Sequence, residues 1–259
     1  MRCAPATISR RCPGQTRVRA LAGRCALAAA LALSAPAAFA GPWAREAGDV
    51  FLSFGVITED ATSTLMLGYL EPEFTGTVYG EVGLGRRFTA GLQLDYGEVS
   101  QMGVVFVRRT LTAPDTRVQL AVDAGLGLRR IEGRRTEQRL RAGASAGLGI
   151  GDWSAEVGPM TLGHEGGWLS LDAMALMDRE GKADPILKLE LTMGLNLTDR
   201  AASLLTVAAE DWPGAERLVT LRPSFTYAIA ERTRIQAGAH AAVRGADTVG
   251  LSLSIWQEF

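Results

Sequence analysis

Cysteine is missing from most of this 259-residue chain, because all three cysteines lie within residues 1–40. The remaining 219 residues cannot rely on disulfides, so a stable fold needs extensive backbone pairing or a large core. Basic charge is also in short supply there, with 21 Lys and Arg against 28 Asp and Glu and a net charge of −7. This balance excludes a strongly basic nucleic-acid binder, and we expect no nucleic-acid partner.

Long apolar runs and histidine are also scarce. After residue 40 no segment has about 18 uninterrupted apolar residues, which excludes a transmembrane helix. The only histidines are His164 and His240, and residue 242, two positions after His240, is Ala rather than Ser. Neither histidine has the sequence neighbours that nucleophilic catalysis or a zinc site requires. We therefore expect no metal, no cofactor and no catalysis. A lipid hydrolase that uses one of these histidines is the enzymatic alternative.

Residues 1–40 have the composition of an export signal. They contain six Arg and no acidic residue, and the apolar residues 25–40 end in Ala38-Phe39-Ala40. A basic leader, a short apolar stretch and a small-x-small ending are the features that a signal peptidase recognises. We predict a signal peptide over 1–40, export by the general secretory route, and one mature domain over 41–259.

Apolar and polar residues alternate with a period of two from about residue 49 to the end of the chain. In residues 187–197 every odd position is a large apolar residue and every even position is polar or Gly. This period predicts β-strands, and no segment shows a helical period over a helical length. Twelve such segments can be counted, at 49–57, 74–84, 88–98, 102–112, 117–128, 138–150, 168–178, 186–197, 201–210, 217–229, 232–244 and 248–259.

The connections between these segments alternate in character, as expected of an up-and-down barrel. One set consists of short turns, at 85–87, 113–116, 198–200 and 230–231. The other set is mostly longer and more charged, at 58–73, 99–101, 131–136, 179–185, 211–216 and 245–247. The exception is the long segment 151–167, which falls on the side of the short turns. If 153–160 and 63–70 were both strands, the count would be fourteen, and we keep fourteen as the alternative.

Alternation alone does not say which face points inward. Eight strands already make an interior that side chains fill, so twelve strands around an aliphatic interior would enclose more space than Leu, Val and Ala can pack. With the aliphatic face turned to lipid the same pattern is consistent, and a closed barrel also pairs its backbone amides. The sequence therefore predicts an all-β, closed, antiparallel transmembrane barrel. A secreted β-sandwich is the alternative.

The inner face of such a barrel is charged, with equal numbers of both signs. By alternation it receives Glu81, Asp95, Asp123, Asp172, Asp178, Glu190, Glu210 and Glu258 against Arg117, Arg129, Arg139, Arg141, Lys188, Arg222, Arg234 and Arg244. Either these side chains line a narrow polar pore or they pair and fill the interior. Our candidate pore-lining residues are Arg139, Arg141, Lys188, Glu190, Arg222, Arg234, His240 and Arg244.

The last strand carries a family resemblance. The chain ends on Phe259, and Leu251, Leu253 and Ile255 are in phase with it, whereas Gln257 interrupts the apolar pattern. This ending resembles the C-terminal assembly signal of Gram-negative outer-membrane β-barrel proteins. The resemblance implies a place in the outer membrane, contact with its lipid, and the barrel-assembly machinery as a partner during biogenesis.

Barrel size and a polar inner face together favour one function. We expect a passive channel for small polar solutes. The alternative from another class is a closed structural or adhesive barrel that acts through its extracellular loops.

Overall fold

The computed structural model describes residues 41–66, 68, 72–133, 135–157 and 160–259. The predicted signal peptide lies outside the described residues and stays a prediction. The strands are β1 (Val50–Ala61), β2 (Glu73–Gly85), β3 (Phe88–Gly97), β4 (Ser100–Thr110), β5 (Val118–Ile131), β6 (Glu137–Ile150), β7 (Trp153–Val157), β8 (Met160–His164), β9 (Gly167–Asp178), β10 (Ile186–Asn196), β11 (Ala201–Asp211), β12 (Leu218–Ala230), β13 (Thr233–Arg244) and β14 (Thr248–Glu258).

Twelve of these strands form one closed antiparallel barrel. Neighbours in sequence are neighbours in the sheet, except that β6 pairs with β9, and β14 returns to pair with β1. The predicted twelve-stranded barrel is confirmed. The fourteen-strand alternative is wrong, because β7 and β8 form a separate two-stranded sheet and residues 62–66 form the short helix α1 (Thr62–Met66). Residues 67, 69, 70, 158 and 159 of that alternative lie outside the described residues.

The barrel has two unlike ends. At the terminal end, where β1 begins and β14 finishes, the strands are joined by short turns and by the β7–β8 hairpin. At the opposite end, here called the loop end, lie α1 and most of the longer connections. Among the described residues no helix is long and apolar enough to cross a membrane.

The outer wall carries the apolar half of each alternating strand. On β10, Leu189 and Leu191 are exposed whereas Lys188 and Thr192 are buried, so the predicted orientation holds. Every barrel strand presents an exposed large apolar residue, for example Phe54, Phe74, Leu92, Val105, Leu126, Leu140, Leu171, Leu189, Val207, Phe225, Ile235 and Leu253. A soluble monomer rarely exposes so much contiguous apolar surface, whereas a bilayer covers it.

Strand β4 shows how a charge is tolerated on this wall. Its outward residues include Val105 and Val107, while Arg108 points inward and is buried. Arg109 shares the outward face and lies next to the turn at the terminal end, with its guanidinium carbon 5.3 Å from the ring centroid of Phe88. An arginine near the membrane interface costs only about 0–1 kcal/mol, because the head group can reach water.

Candidate functional site

The inner face of the barrel is polar but contains two apolar clusters that the sequence analysis missed. The first, the terminal-end cluster, consists of Phe51, Tyr79, Phe106, Leu204 and Trp256, with Trp168 packed against it. Its rings meet edge to face, with 6.1 Å between the centroids of Phe51 and Trp256 and 6.3 Å between those of Phe51 and Tyr79. These side chains come from β1, β2, β4, β11 and β14, so they fill the lumen from several sides.

The second group, the loop-end cluster, consists of Met102, Val104, Leu176, Ile186, Trp212 and Leu218. Its centre is Trp212, whose ring lies 4.8 Å from the guanidinium carbon of Arg129 and 5.3 Å from Lys188 Nζ. Trp212 follows the end of β11, where an aromatic residue usually anchors a barrel at the membrane interface, but its side chain is buried inside the lumen. Trp212 lies two residues after Glu210 and so shares its inward face, although β11 ends at Asp211. The alternation of the sequence could therefore have predicted that Trp212 points inward.

A network of ion pairs lies between the two clusters. Arg222 contacts Glu190 at 3.0 Å and Glu210 at 3.2 Å, and Lys188 Nζ lies 3.0 Å from Glu210. The backbone register explains this grouping, since Lys188 and Glu210 are direct partners across β10 and β11. The predicted residues Lys188, Glu190 and Arg222 therefore lie together in the lumen.

Two further predicted residues come from β6. Arg139 lies 2.6 Å from Glu137 and is fully buried, and the same acid lies 3.8 Å from Arg129. Arg141 lies 2.6 Å from Asp123, and its guanidinium carbon lies 4.1 Å from the ring centroid of Phe106. Both arginines thus face the lumen, and each has an acid beside it.

The remaining predicted residues occupy less central positions. His240 is buried on β13, with Nε2 3.9 Å from Glu59. Arg234 is half-buried near the terminal end, opposite Trp256 in the register. Arg244 lies outside the filled interior. The pairing of β12 with β13 shifts register between Thr220 and Val219, and Val219 is the partner of Arg244. The Arg244 side chain is exposed and lies 4.0 Å from Glu216.

The accessibility of the inner face varies along the barrel axis. The side chains of both apolar clusters are almost completely buried. The middle of the lumen is somewhat more accessible, because the side chains of Glu190, Arg222 and Arg141 are 16%, 15% and 10% exposed. The structure thus holds a polar central section between two occluded ends.

The N-terminal segment, residues 41–49, adds to the occlusion at the terminal end, which the sequence analysis did not foresee. Gly41 and Pro42 are buried among inward-facing side chains. Arg108 Nη1 donates to the carbonyl oxygen of Gly41 at 3.1 Å, and the Thr110 hydroxyl donates to that of Pro42 at 2.7 Å. The segment therefore lies inside the lumen and not against the outer wall.

The two histidines have few polar contacts. Among the described residues His240 Nε2 has no hydrogen-bond partner, and His164 contacts only local atoms, with Nδ1 3.2 Å from the Gly166 carbonyl oxygen and its ring near Trp153. No group of three or more potential metal-ligating residues comes together in the described part of the chain. The charged side chains of the lumen form ion pairs, such as Arg222 with Glu190 and Arg141 with Asp123.

A closed antiparallel barrel with an apolar outer wall and a charged interior is the architecture of outer-membrane β-barrels. Solved structures share it. The KdgM porin aligns over 80% of this chain and 99% of its own, with a TM-score of 0.53 and 9% sequence identity. The KdgM porin in complex with disordered oligogalacturonate aligns over 81% of this chain and 99% of its own, with a TM-score of 0.55 and 8% sequence identity. The COG4313 outer membrane channel from Pseudomonas putida F1 aligns over 83% of this chain and 97% of its own, with a TM-score of 0.54 and 11% sequence identity.

No family model and no curated protein sequence matches this chain. At the identities above, the structural similarity establishes the fold, which is that of an outer-membrane β-barrel.

Proposed function

We propose that this protein is a passive channel for small polar solutes across the outer membrane. The observation that carries the proposal is the charged central section of the lumen, where the side chains of Glu190 and Arg222 stay partly exposed. A barrel that served only as a scaffold would have no need to keep such groups accessible, since apolar packing of the interior is at least as stable. The two channels of similar fold, the KdgM porin and the COG4313 channel, support the same proposal.

The occluded ends define the state of this channel. Side chains of the terminal-end cluster and the loop-end cluster are excluded from solvent, so conduction requires movement at both ends. We therefore regard the structure as the closed state. Openings are expected to be brief, because the closed state is held by packing and ion pairs.

Single-channel recording in planar bilayers tests the proposal. Protein purified from membranes in folded form, with heat-dependent migration in gels as the check of folding, should produce discrete current steps. A protein that folds and inserts but never conducts, even when its N-terminal segment is removed, would exclude the channel.

Ion selectivity should respond to the buried charges and not to those at the rim. Arg141→Gln leaves Asp123 without its 2.6 Å partner inside the lumen, so the current should shift towards cations. Arg244→Gln is the matched control, because that side chain is exposed and sits 4.0 Å from Glu216. Reversal potentials in a salt gradient measure the effect, and equal shifts in both variants would contradict the pore assignment.

A closed barrel that acts through its loops is the second candidate. The observation in its favour is the extent of pairing inside the lumen, such as the Arg108–Glu81 contact at 2.7 Å between side chains that are only 3% and 1% exposed. In that case neither the complete protein nor any lumen variant should conduct. The bilayer experiment distinguishes the two candidates directly.

We also propose that the last strand is recognised by the barrel-assembly machinery after export by the general secretory route. Leu251, Leu253, Ile255 and Phe259 all lie exposed on the outer wall, in phase with one another. The amide of Phe259 donates to the carbonyl oxygen of Val50 at 2.9 Å, so the same residue helps to close the barrel.

The phase of the terminal strand gives an assembly test. Gln257 lies on this outward face, where an aromatic residue would complete the apolar pattern. Gln257→Phe should raise the amount of folded barrel in the membrane, and deletion of Phe259 should lower it. Glu258→Gln, which changes the neighbouring residue in the opposite phase, is the control. Quantified folded and unfolded bands in membrane fractions provide the measurement, and unchanged yields in the first two variants would count against an assembly role.

A further inference from the structure

The course of the N-terminal segment suggests a gate. The chain is buried inside the lumen at Gly41, beside Arg108, and it is exposed at Ala47 and Gly48 before β1 begins at Val50. The turn is closed by a hydrogen bond of 3.2 Å from the Asp49 amide to the Glu46 carbonyl oxygen. Gly48 has a φ of +94° there, a conformation that other residues rarely adopt, so the reversal depends on glycine.

The inner wall leaves room for the segment at two glycines. A Cβ atom on Gly147 would lie 2.6 Å from Pro42 Cγ, and it would also meet the ring of Trp43. A Cβ atom on Gly83 would collide with the backbone of Arg45 and Glu46. Any other residue at either position would displace the segment, so β2 and β6 together form a cradle that fits it.

Polar contacts hold the segment in this cradle. Arg45 Nε lies 2.7 Å from Glu81 Oε2, and its guanidinium carbon lies 4.7 Å from the ring centroid of Phe51. Arg108 and Thr110 supply the donors for the carbonyl groups of Gly41 and Pro42. Backbone groups taken out of water need such partners, and the wall residues provide them.

The same contacts do not make the segment part of the barrel wall. Its backbone pairing with the wall is confined to the Gly48–Gly83 region, where the Gly48 amide donates to the Gly83 carbonyl oxygen at 2.9 Å. Ala44, Glu46 and Ala47 are exposed. If the segment leaves, Glu81 keeps Arg108 at 2.7 Å, so no buried acid is left uncompensated.

We propose that residues 41–47 are a plug in the terminal end of the lumen, and that withdrawal of this plug about the turn at Gly48 is the movement that opens this end, so that conduction is then limited by the loop end. The proposal rests on the channel function argued above. It adds a specific device to that function, because it names the part that moves and the wall residues that hold it.

Deletion of residues 41–47 is the first test. The deletion keeps Ala38-Phe39-Ala40 and joins it to Gly48, so the predicted cleavage pattern is preserved. In planar bilayers the shortened protein should show a severalfold larger conductance or open fraction than the complete protein. Trp153→Ala is a control for loss of an aromatic residue at the same end, since Trp153 is exposed on β7.

A glycine pair on one strand supplies a sharper test. Gly147→Val should expel Pro42 and Trp43 and so increase conduction. Gly149→Val adds the same side chain to the same face of β6, where a Cβ atom meets nothing within 4 Å, and it should leave conduction unchanged. Extra bulk in a pore can only narrow it, so an increase for Gly147→Val cannot come from the side chain itself.

The outcomes separate the two proposals. A larger conductance for both the deletion and Gly147→Val supports the plug. Equal conductance in the complete and shortened proteins overturns the plug and leaves the channel in place. No conductance in either folded protein overturns the channel and the plug with it.

Discussion

Glu210→Ala should destabilise the barrel by about 3–5 kcal/mol, the usual cost of removing one partner from a buried ion pair. The carboxylate of Glu210 is 1% exposed, lies 3.0 Å from Lys188 Nζ and 3.2 Å from Arg222 Nη2, and accepts a hydrogen bond of 2.9 Å from Trp212 Nε1. Without it Lys188, itself buried, has no other acid in contact among the described ion pairs. The temperature at which the folded band disappears from gels measures the loss.

The neighbouring residue supplies the control. Asp211 pairs with Arg217 at 2.9 Å, but both side chains are largely exposed. Asp211→Ala should therefore cost only about 0–1 kcal/mol, as solvent and salt screen such pairs. A double variant, Lys188→Met with Glu210→Gln, should recover part of the stability, because it removes the uncompensated cation and leaves Arg222 with Glu190. Equal losses for Glu210→Ala and Asp211→Ala would show that the network is not buried.

Leu191→Arg should destabilise the inserted barrel by about 2–4 kcal/mol, the cost of an arginine on the lipid face at the middle of the bilayer. Leu191 is exposed on the outer wall halfway along β10. In lipid the guanidinium cannot reach water from this depth, so the variant should accumulate unfolded. Folded and unfolded fractions in lipid vesicles over a urea series provide the measurement.

Leu197, on the same face, is the control that shows whether the loss of stability depends on the depth of the arginine in the bilayer. Leu197 follows the end of β10 near the terminal end and is also exposed. Leu197→Arg should cost only about 0–1 kcal/mol, since the side chain can extend to the interface. If the two substitutions cost the same, or if Leu191→Arg yields a stable soluble monomer, the apolar wall does not face lipid.

Much of the fold was predictable because a strand has only two faces. On β10 the alternation of Leu189 and Leu191 with Lys188 and Glu190 fixes which side chains share a face. The number of such segments then makes lipid the natural environment of the aliphatic face, since side chains cannot fill a wide aliphatic interior. The short turns at the terminal end follow from the same pattern, which is why the twelve strands and their order were predicted correctly.

Which charged residues point into the lumen was partly predictable, but which of them form ion pairs was not. Alternation places Arg141, Lys188, Glu190 and Arg222 on the inner face, and in the structure each of them lies beside a residue of opposite charge. It does not fix the stagger between strands, and that stagger brings Lys188 opposite Glu210. A local register shift likewise moves Arg244 out to the rim, and nothing in a period of two signals such a shift.

Local periodicity is enough to predict the twelve barrel strands and their inward and outward faces. It does not give the charge balance of the interior, since Arg108 is buried there whereas Arg244 is exposed at the rim. The occlusion of the lumen is likewise a property of the tertiary structure. The space left by Gly147 is filled by Pro42 and Trp43, and Trp212 turns inward over Arg129 and Lys188. Such contacts join residues far apart in sequence, and they exist only after the barrel has closed and brought its walls together.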